Sequence, residues 1–140
     1  MIFLKKYDII NYKDKRSGNN LVKVIIAGGR DFDNMNMVEE TMASLGIEVT
    51  EVVCGGARGA DTLGRLWAQK HGIPVKMFPA LWEELGNYAG IERNHRMGDY
   101  ADYLVAFWDG KSRGTKDMID YMKRLKKHGK VIYYEQKRLH

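Results

Sequence analysis

Short apolar runs alternate with longer amphipathic segments from residue 21 onward, and this alternation constrains the fold more than any other feature. The runs at residues 21–27, 48–54, 74–78, 102–108 and 130–134 are rich in β-formers and predict five strands. Helical connections between consecutive strands favour parallel pairing through right-handed crossovers. The sequence therefore predicts an α/β fold, with helices on both faces of a mostly parallel, doubly wound sheet.

The segments between these runs predict helices over residues 35–45, 60–71, 91–100 and 112–128. The first helix has apolar residues at 3-4 spacing after a cap at Asp33 or Asn34. Gly46, Gly72 and Gly129 are the expected helix stops. Residues 79–88 have no regular pattern.

A chain of 140 residues has the size of one domain. We assign residues 21–140 to this domain, and we expect residues 1–20 to form an N-terminal arm or extra strand, with residues 13–20 disordered. No apolar run approaches the roughly 18 residues of a membrane span, and lysines interrupt the apolar start of the chain. We therefore expect a cytoplasmic protein with no membrane partner.

The formal net charge of +5 favours a nucleic-acid partner if it is taken alone. The basic excess lies at the ends, because residues 1–20 contain five basic and two acidic side chains, and residues 121–140 contain seven and one. The residues between them carry a net charge of −4. Basic residues in solvated termini explain the net positive charge of the chain, and nucleic-acid binding is the weaker interpretation of it.

Three strand-to-helix loops combine glycine with arginine: GGRDF from Gly28, GGARGAD from Gly55, and WDGKSRGT from Trp108. In an open parallel sheet such loops meet at the carboxyl edge, where ligands bind. Glycine permits close backbone approach, helix N-termini offer unpaired N–H groups, and arginine adds a bidentate charge. The loops therefore predict a phosphate site, although tight turns alone also explain each glycine cluster.

Standard nucleotide motifs do not fit these loops. The second loop lacks one glycine of the dinucleotide fingerprint, and Val105 occupies a position where the P-loop requires glycine. A Walker-type ATPase is thus disfavoured.

Several single residues are weaker candidates. Asp31, Asp61 and Asp109 follow strands and suit ribose hydroxyls or a magnesium ion that bridges phosphates, while a helix N-terminal carboxylate explains Asp61 equally well. Trp82 and Trp108 suit either base stacking or the core.

We expect Cys54 to be an inert buried thiol. We expect no metal site, since no histidine has ligand spacing with a cysteine or carboxylate. The stripe of Met118, Ile119, Met122 and Leu125 predicts core, and its width also suits a homo-oligomer.

The motifs GGRDF, GGARGAD, P-x-x-W, AG-x-x-RN-x-x-M and AD-x-L-x-AFWDG-x-S-x-GT together resemble the SLOG superfamily, which includes DprA/Smf and the LOG phosphoribohydrolases. The similarity covers Val22 to Tyr134 and is strongest to the bacterial and phage branch related to YspA and YpsA. It implies a Rossmann-like three-layer αβα sandwich with strand order 3-2-1-4-5. It also implies a nucleotide-derived ligand across the loops after the first, second and fourth strands, with Tyr88 and Asn94 near the base.

The resemblance leaves the question of catalysis open. LOG enzymes pair an arginine with a glutamate, and Arg93 matches the arginine, whereas Met118 occupies the glutamate position. Nucleoside deoxyribosyltransferases, which have a similar segment, use a glutamate in the same region. A thioether cannot stabilise the oxocarbenium-like transition state of N-glycosidic cleavage, and Asp117 is expected about 100° away around the helix.

We therefore expect a sensor or binding module for a nucleotide or phosphorylated nucleoside. The expected ligand-binding residues are Gly28, Gly29, Arg30, Asp31, Gly55, Gly56, Arg58, Gly59, Asp61, Trp82, Arg93, Asn94, Asp109, Ser112, Arg113, Gly114 and Thr115. A first alternative is a nucleoside 5′-monophosphate phosphoribohydrolase or deoxyribosyltransferase-like enzyme. Its candidate catalytic residues are Arg93 and the carboxylates Asp31, Asp61, Asp109 and Asp117. A second alternative is DprA-like binding of single-stranded nucleic acid through the basic ends.

Overall fold

The computed structural model describes residues 21–135, which form one five-stranded sheet with helices on both faces. The strands are β1 Leu21–Gly28, β2 Glu48–Cys54, β3 Val75–Met77, β4 Tyr103–Trp108 and β5 His128–Tyr133. The helices are α1 Met35–Ala43, α2 Ala60–Lys70, α3 Trp82–Leu85, α4 Ala89–Tyr100 and α5 Arg113–Arg124, and a 3₁₀ turn at Gly86–Tyr88 joins α3 to α4. The predicted α/β class is confirmed.

The sheet has the order β3-β2-β1-β4-β5, as predicted. All of its strand pairings are parallel over the described residues, whereas the sequence predicted a mostly parallel sheet. The predicted N-terminal arm lies outside the described residues, as do residues 136–140. None of the helices described between residues 21 and 135 is long and apolar enough to cross a membrane.

The central strand β1 is buried on both of its faces. Val24 and Ile26 lie in a core with residues of α1 and α2, and Ile25 and Ala27 lie in a second core with residues of α4 and α5. This explains why β1 and β4 have continuous apolar sequences rather than alternating ones. The crossovers leave β1 and β4 toward opposite faces, so a crevice opens at the carboxyl ends of these two strands.

The end of α5 corrects one prediction. The helix ends at Arg124 rather than at His128, and Gly129 lies within β5, paired with Leu104. The chain turns at Lys126, which has φ +59°, while the N–H of Lys127 donates to the Met122 carbonyl at 3.0 Å. These contacts form a Schellman motif in which lysine occupies the position that glycine usually takes, so no glycine marks the end of the helix there.

Smaller differences concern the neighbouring elements. β3 is shorter than predicted, α4 begins two residues earlier at Ala89, and α3 forms within the segment that has no regular pattern. Met118, Ile119 and Met122 are buried against the sheet and belong to the core, whereas Leu125, the fourth residue of the predicted stripe, is only partly buried. Cys54 is buried as well, and burial raises the pKa of its thiol to about 11.

Candidate functional site

A cleft of about 800 Å³ opens at the carboxyl ends of β1 and β4. Residues from all three glycine-rich loops line it, as the strand order requires. The predicted ligand-binding residues on its wall are Gly28, Gly29, Arg30, Asp31, Asp61, Trp82, Arg93, Asn94, Asp109, Ser112, Arg113, Gly114 and Thr115. Asp117 and Met118 line it too, although the sequence predicted that they point in different directions.

Other predicted residues do not line the cleft, and all of them belong to the loop after β2. They are Gly55, Gly56, Arg58 and Gly59. Arg58 is exposed, and Gly55 is buried against the guanidinium of Arg93. From this loop, only Ala57 reaches the wall, followed by Asp61 in the first turn of α2. The loop therefore contributes few residues to the cleft wall, and it packs against residues that line the cleft, such as Arg93.

Two glycines allow the loops to pack against each other. A Cβ atom on Gly59, which has φ +75°, would lie 2.1 Å from the Gly29 carbonyl oxygen. A Cβ atom on Gly28 would lie 2.3 Å from the Phe107 carbonyl oxygen. Tight packing thus explains these two glycines. It does not explain Gly114, where an added Cβ would meet no atom within 4 Å in the described structure.

Asp61 holds the loop after β2 in place. Its side chain is only 7% exposed, and its Oδ2 atom accepts hydrogen bonds from the backbone N–H groups of Gly55 at 3.1 Å and Ala57 at 3.0 Å. Burial raises the pKa of this carboxyl, and the two N–H donors and the nearby Arg93 charge oppose that rise. Asp61 Oδ2 therefore stabilises the loop after β2 at the edge of the cleft.

Arg93 connects the two walls of the cleft. It projects from α4, its Nη1 atom donates to the Gly55 carbonyl, and its Nε atom donates to Asn94 Oδ1 at 3.3 Å. The guanidinium therefore bridges α4 and the loop after β2, with further N–H donors remaining on its fork.

Asp109 and Asp31 also accept hydrogen bonds within the protein. Asp109 Oδ1 accepts from the N–H groups of Lys111 and Ser112, both at 2.8 Å, and so shapes the turn before α5. Asp31 Oδ1 accepts from the hydroxyl of Tyr134 at 2.6 Å. Burial, followed by this carboxylate contact, raises the pKa of Tyr134, which keeps its hydroxyl a donor.

Asn94 and Asp117 join α4 to the first turns of α5. The Asn94 Nδ2 atom donates to Asp117 Oδ2 and to the Gly114 carbonyl, each at 3.1 Å. Since Asn94 Oδ1 accepts from Arg93, both ends of this 8%-exposed amide are occupied within the protein. The Nε2 atom of His95 lies 3.5 Å from Asp117 Oδ1, and its ring stacks on Tyr121. Asn94 therefore positions Asp117, and it also lines the cleft.

The remaining charged residues of the cleft are cations. Arg30, Lys111 and Arg113 are exposed, and none of them forms an ion pair with a carboxylate of residues 21–135. Ser112, the N-cap residue of α5, makes no side-chain capping bond, so the first N–H groups of the helix are available beside Gly114. The cleft lining thus contains four basic and four acidic side chains, and three of the basic ones are exposed and have no carboxylate partner among residues 21–135.

Another part of the wall is apolar. Met97 and Met118 are buried there, Ile91 is partly exposed, and the Trp82 side chain is 57% exposed. Trp108 does not line the cleft, and its indole N–H donates to the Ser112 carbonyl at 3.0 Å. Tyr88 is exposed and also lies off the wall.

Sequence reasoning missed further wall residues, namely Ala27, Ala57, Asn87, Gly90, Ile91, Met97 and Lys111. Lys111 could be predicted from the sequence, because it lies in the loop segment GKS between two predicted ligand residues. Gly90 and Met97 are spaced by one turn on either side of Asn94, so the helical period assigns them to the same face. Asn87 lies in the segment without a regular pattern and had no such signal.

Two comparisons with known proteins agree with this architecture. The model of the family described as YspA, cpYpsA-related SLOG matches residues 22–84. The Gene 61 protein of Mycobacterium phage D29 is 35% identical over 106 residues, an alignment that covers 67% of this chain and 82% of the phage protein. The chain belongs to the YspA, cpYpsA-related SLOG family. No solved structure matches the chain.

The family match includes β1, β2, β3 and the loops after them. Arg93 and the loop between β4 and α5 lie beyond residue 84, outside the matched range. Membership in this family supports a Rossmann-like ligand-binding module. Among residues 21–135, no group of three or more histidine, cysteine, aspartate or glutamate side chains is arranged to hold a metal ion.

Proposed function

We propose that the protein is a binding module for a nucleotide or a phosphorylated nucleoside derivative. One observation carries the proposal: the cations Arg30, Lys111 and Arg113 line the cleft without carboxylate partners in residues 21–135. Exposed cations that have no ion-pair partner and lie beside a helix N-terminus favour an anion with several acceptor oxygens, and a phosphate has this chemistry.

The shape of the cleft supports a ligand larger than inorganic phosphate. Its volume of about 800 Å³ lies in the range of small-molecule and cofactor sites. Trp82 and Ile91 offer apolar surface for a base, whereas Gly114 leaves space at the start of α5 for a phosphate. A ligand with one anionic and one flat apolar end therefore fits both parts of the wall.

Calorimetric titration with AMP, ADP, ADP-ribose and cyclic dinucleotides tests the proposal. We expect at least one of them to bind, and Arg113→Ala to weaken its binding about 10- to 100-fold through loss of a charge-assisted hydrogen bond. Arg124→Ala is the matched control, because it removes the same charge from the other end of α5, outside the cleft. Absence of heat with every compound, or equal losses in both variants, contradicts the proposal.

One observation favours a second candidate, cleavage of an N-glycosidic bond. Asp117 lines the cleft beside Met118, so a carboxylate is present although the family glutamate is not. Release of free base from nucleoside 5′-monophosphates, measured by chromatography and lost in Asp117→Asn, supports catalysis. No base after long incubation with stoichiometric protein rules this candidate out.

A further inference from the structure

The first two turns of α5 present three different chemistries to the cleft. Gly114, Asp117 and Met118 lie at i, i+3 and i+4, so they share one face of the helix, and all three line the cleft. Gly114 offers open space and backbone N–H groups, Asp117 offers carboxylate oxygens, and Met118 is a buried apolar residue, only 1% exposed, on the same wall. Along about 6 Å of the helix axis, the wall thus offers first N–H donors for an anion, then a carboxylate that can accept from hydroxyl groups, and then an apolar residue.

This order follows the order of groups in a nucleotide, namely phosphate, sugar and base. The distance along α5 from Gly114 to Asp117 is about 4.5 Å, which is comparable to the separation between the 5′-phosphate and the sugar hydroxyls. Resting on the proposed function, we infer that Asp117 accepts hydrogen bonds from the ribose hydroxyls, so that the cleft selects ribonucleotides over 2′-deoxyribonucleotides.

Asp117 differs from two other carboxylates of the cleft in what holds it. Asp61 and Asp109 each shape a loop through two backbone N–H donors, whereas Asp117 Oδ2 accepts from the side chain of Asn94. The Asp117 side chain is 24% exposed, so its carboxylate is reachable from the cleft. Each carboxylate oxygen has two acceptor sites, and one Asn94 contact leaves acceptor capacity for a hydroxyl group.

The surrounding contacts fix the direction of this carboxylate. Asn94 is itself held by Arg93 and by the Gly114 carbonyl, so its amide cannot rotate without losing hydrogen bonds. The His95 ring, stacked on Tyr121 at 3.9 Å, places Nε2 3.5 Å from Asp117 Oδ1. An acceptor with a fixed orientation discriminates against a ligand that lacks the matching hydroxyl, because the carboxylate is then desolvated without compensation.

The test compares ribonucleoside 5′-mono- and diphosphates with their 2′-deoxy counterparts by calorimetry. For the base that binds best, we expect the ribonucleotide to bind wild-type protein at least about tenfold more tightly. Asp117→Asn keeps an oxygen for Asn94 but replaces the other acceptor with an amide donor, and we expect the preference to fall below about threefold. Asp120→Asn is the control, because Asp120 lies on the same helix, off the cleft wall, and pairs with Lys116.

The outcomes separate this inference from the proposed function. Equal binding of the two sugars by wild-type protein overturns the inference and leaves nucleotide binding intact, and this comparison needs no variant. A preference that persists in a folded Asp117→Asn variant, checked by thermal melting, also overturns it. Failure of every ribonucleotide and deoxyribonucleotide to bind defeats both proposals. A preference that is lost in Asp117→Asn and kept in Asp120→Asn supports the inference.

Discussion

Asp61 allows a sharp test of how the loop after β2 is held. In the Asp61→Ala variant, the backbone N–H groups of Gly55 and Ala57 lose their acceptor, which lies at 3.1 and 3.0 Å in the wild-type protein. In the Asp61→Asn variant, one oxygen remains to accept both bonds, while the buried negative charge is removed. The two substitutions therefore separate the hydrogen bonds from the charge.

The expected magnitudes follow from burial. A buried donor left without a partner costs about 1–3 kcal/mol. Because the contact of the Ala57 N–H is only part-buried, the two N–H groups together predict a loss of about 2–4 kcal/mol in the free energy of unfolding for Asp61→Ala. For a chain of this size, the loss corresponds to a melting temperature lower by roughly 6–15 °C. We expect Asp61→Asn to lie within about 1 kcal/mol of wild type, because relief of the buried charge offsets the weaker acceptor.

Urea unfolding followed by circular dichroism at pH 4 and pH 7 measures both effects. Burial raises the folded-state pKa of Asp61 above its ordinary value of 3.8, so the native protein binds this proton more tightly than the unfolded chain. Stability from this group therefore falls as pH rises through the window above 3.8, and Asp61→Asn lacks this loss. Relative to wild type, Asp61→Asn is thus expected to be more stable at pH 7 than at pH 4. Equal losses in the two variants would refute the reasoning.

Three further predictions concern other parts of the fold. Lys126→Gly relieves the strain of φ +59° and should raise the free energy of unfolding in urea by about 1 kcal/mol; no gain would contradict the Schellman assignment. Gly59→Ala places a Cβ atom 2.1 Å from the Gly29 carbonyl oxygen and should cost more than about 2 kcal/mol in the same assay, whereas a neutral result would mean that the loops are not in contact. Cys54, with its pKa raised to about 11, should react with a thiol reagent at pH 8 far more slowly in the native protein than in urea, and equal rates would show that it is not buried.

The fold could be predicted because the apolar runs and glycine stops repeat with the period of a βα unit. The prediction was wrong where a local signal was absent or misleading. Lys126 adopts a positive φ that a lysine in the sequence does not indicate, so the pattern predicts a helix stop at Gly129, which lies inside β5. The irregular segment contains α3 because short helices carry too few residues to show a period.

The cleft could be located from the sequence, but the role of each residue in it could not. Strand exits place the loops at one edge of the sheet, and this placement requires no knowledge of side-chain contacts. By contrast, the commitment of Asp61 to its own loop and of Asn94 to Asp117 depends on residues that are distant in the chain or on a turn of unknown shape. For the same reason, the sequence could not show that Arg58 does not line the cleft.

The position of a bound phosphate tests the central claim most directly. A crystal structure of the protein with the tightest-binding nucleotide of the calorimetric panel would show it. We predict density for the phosphate beside the N–H groups at the start of α5, near Gly114 and Arg113, with the base toward Trp82. Density for the nucleotide on the basic C-terminal residues, with the cleft between β1 and β4 empty, would contradict this account.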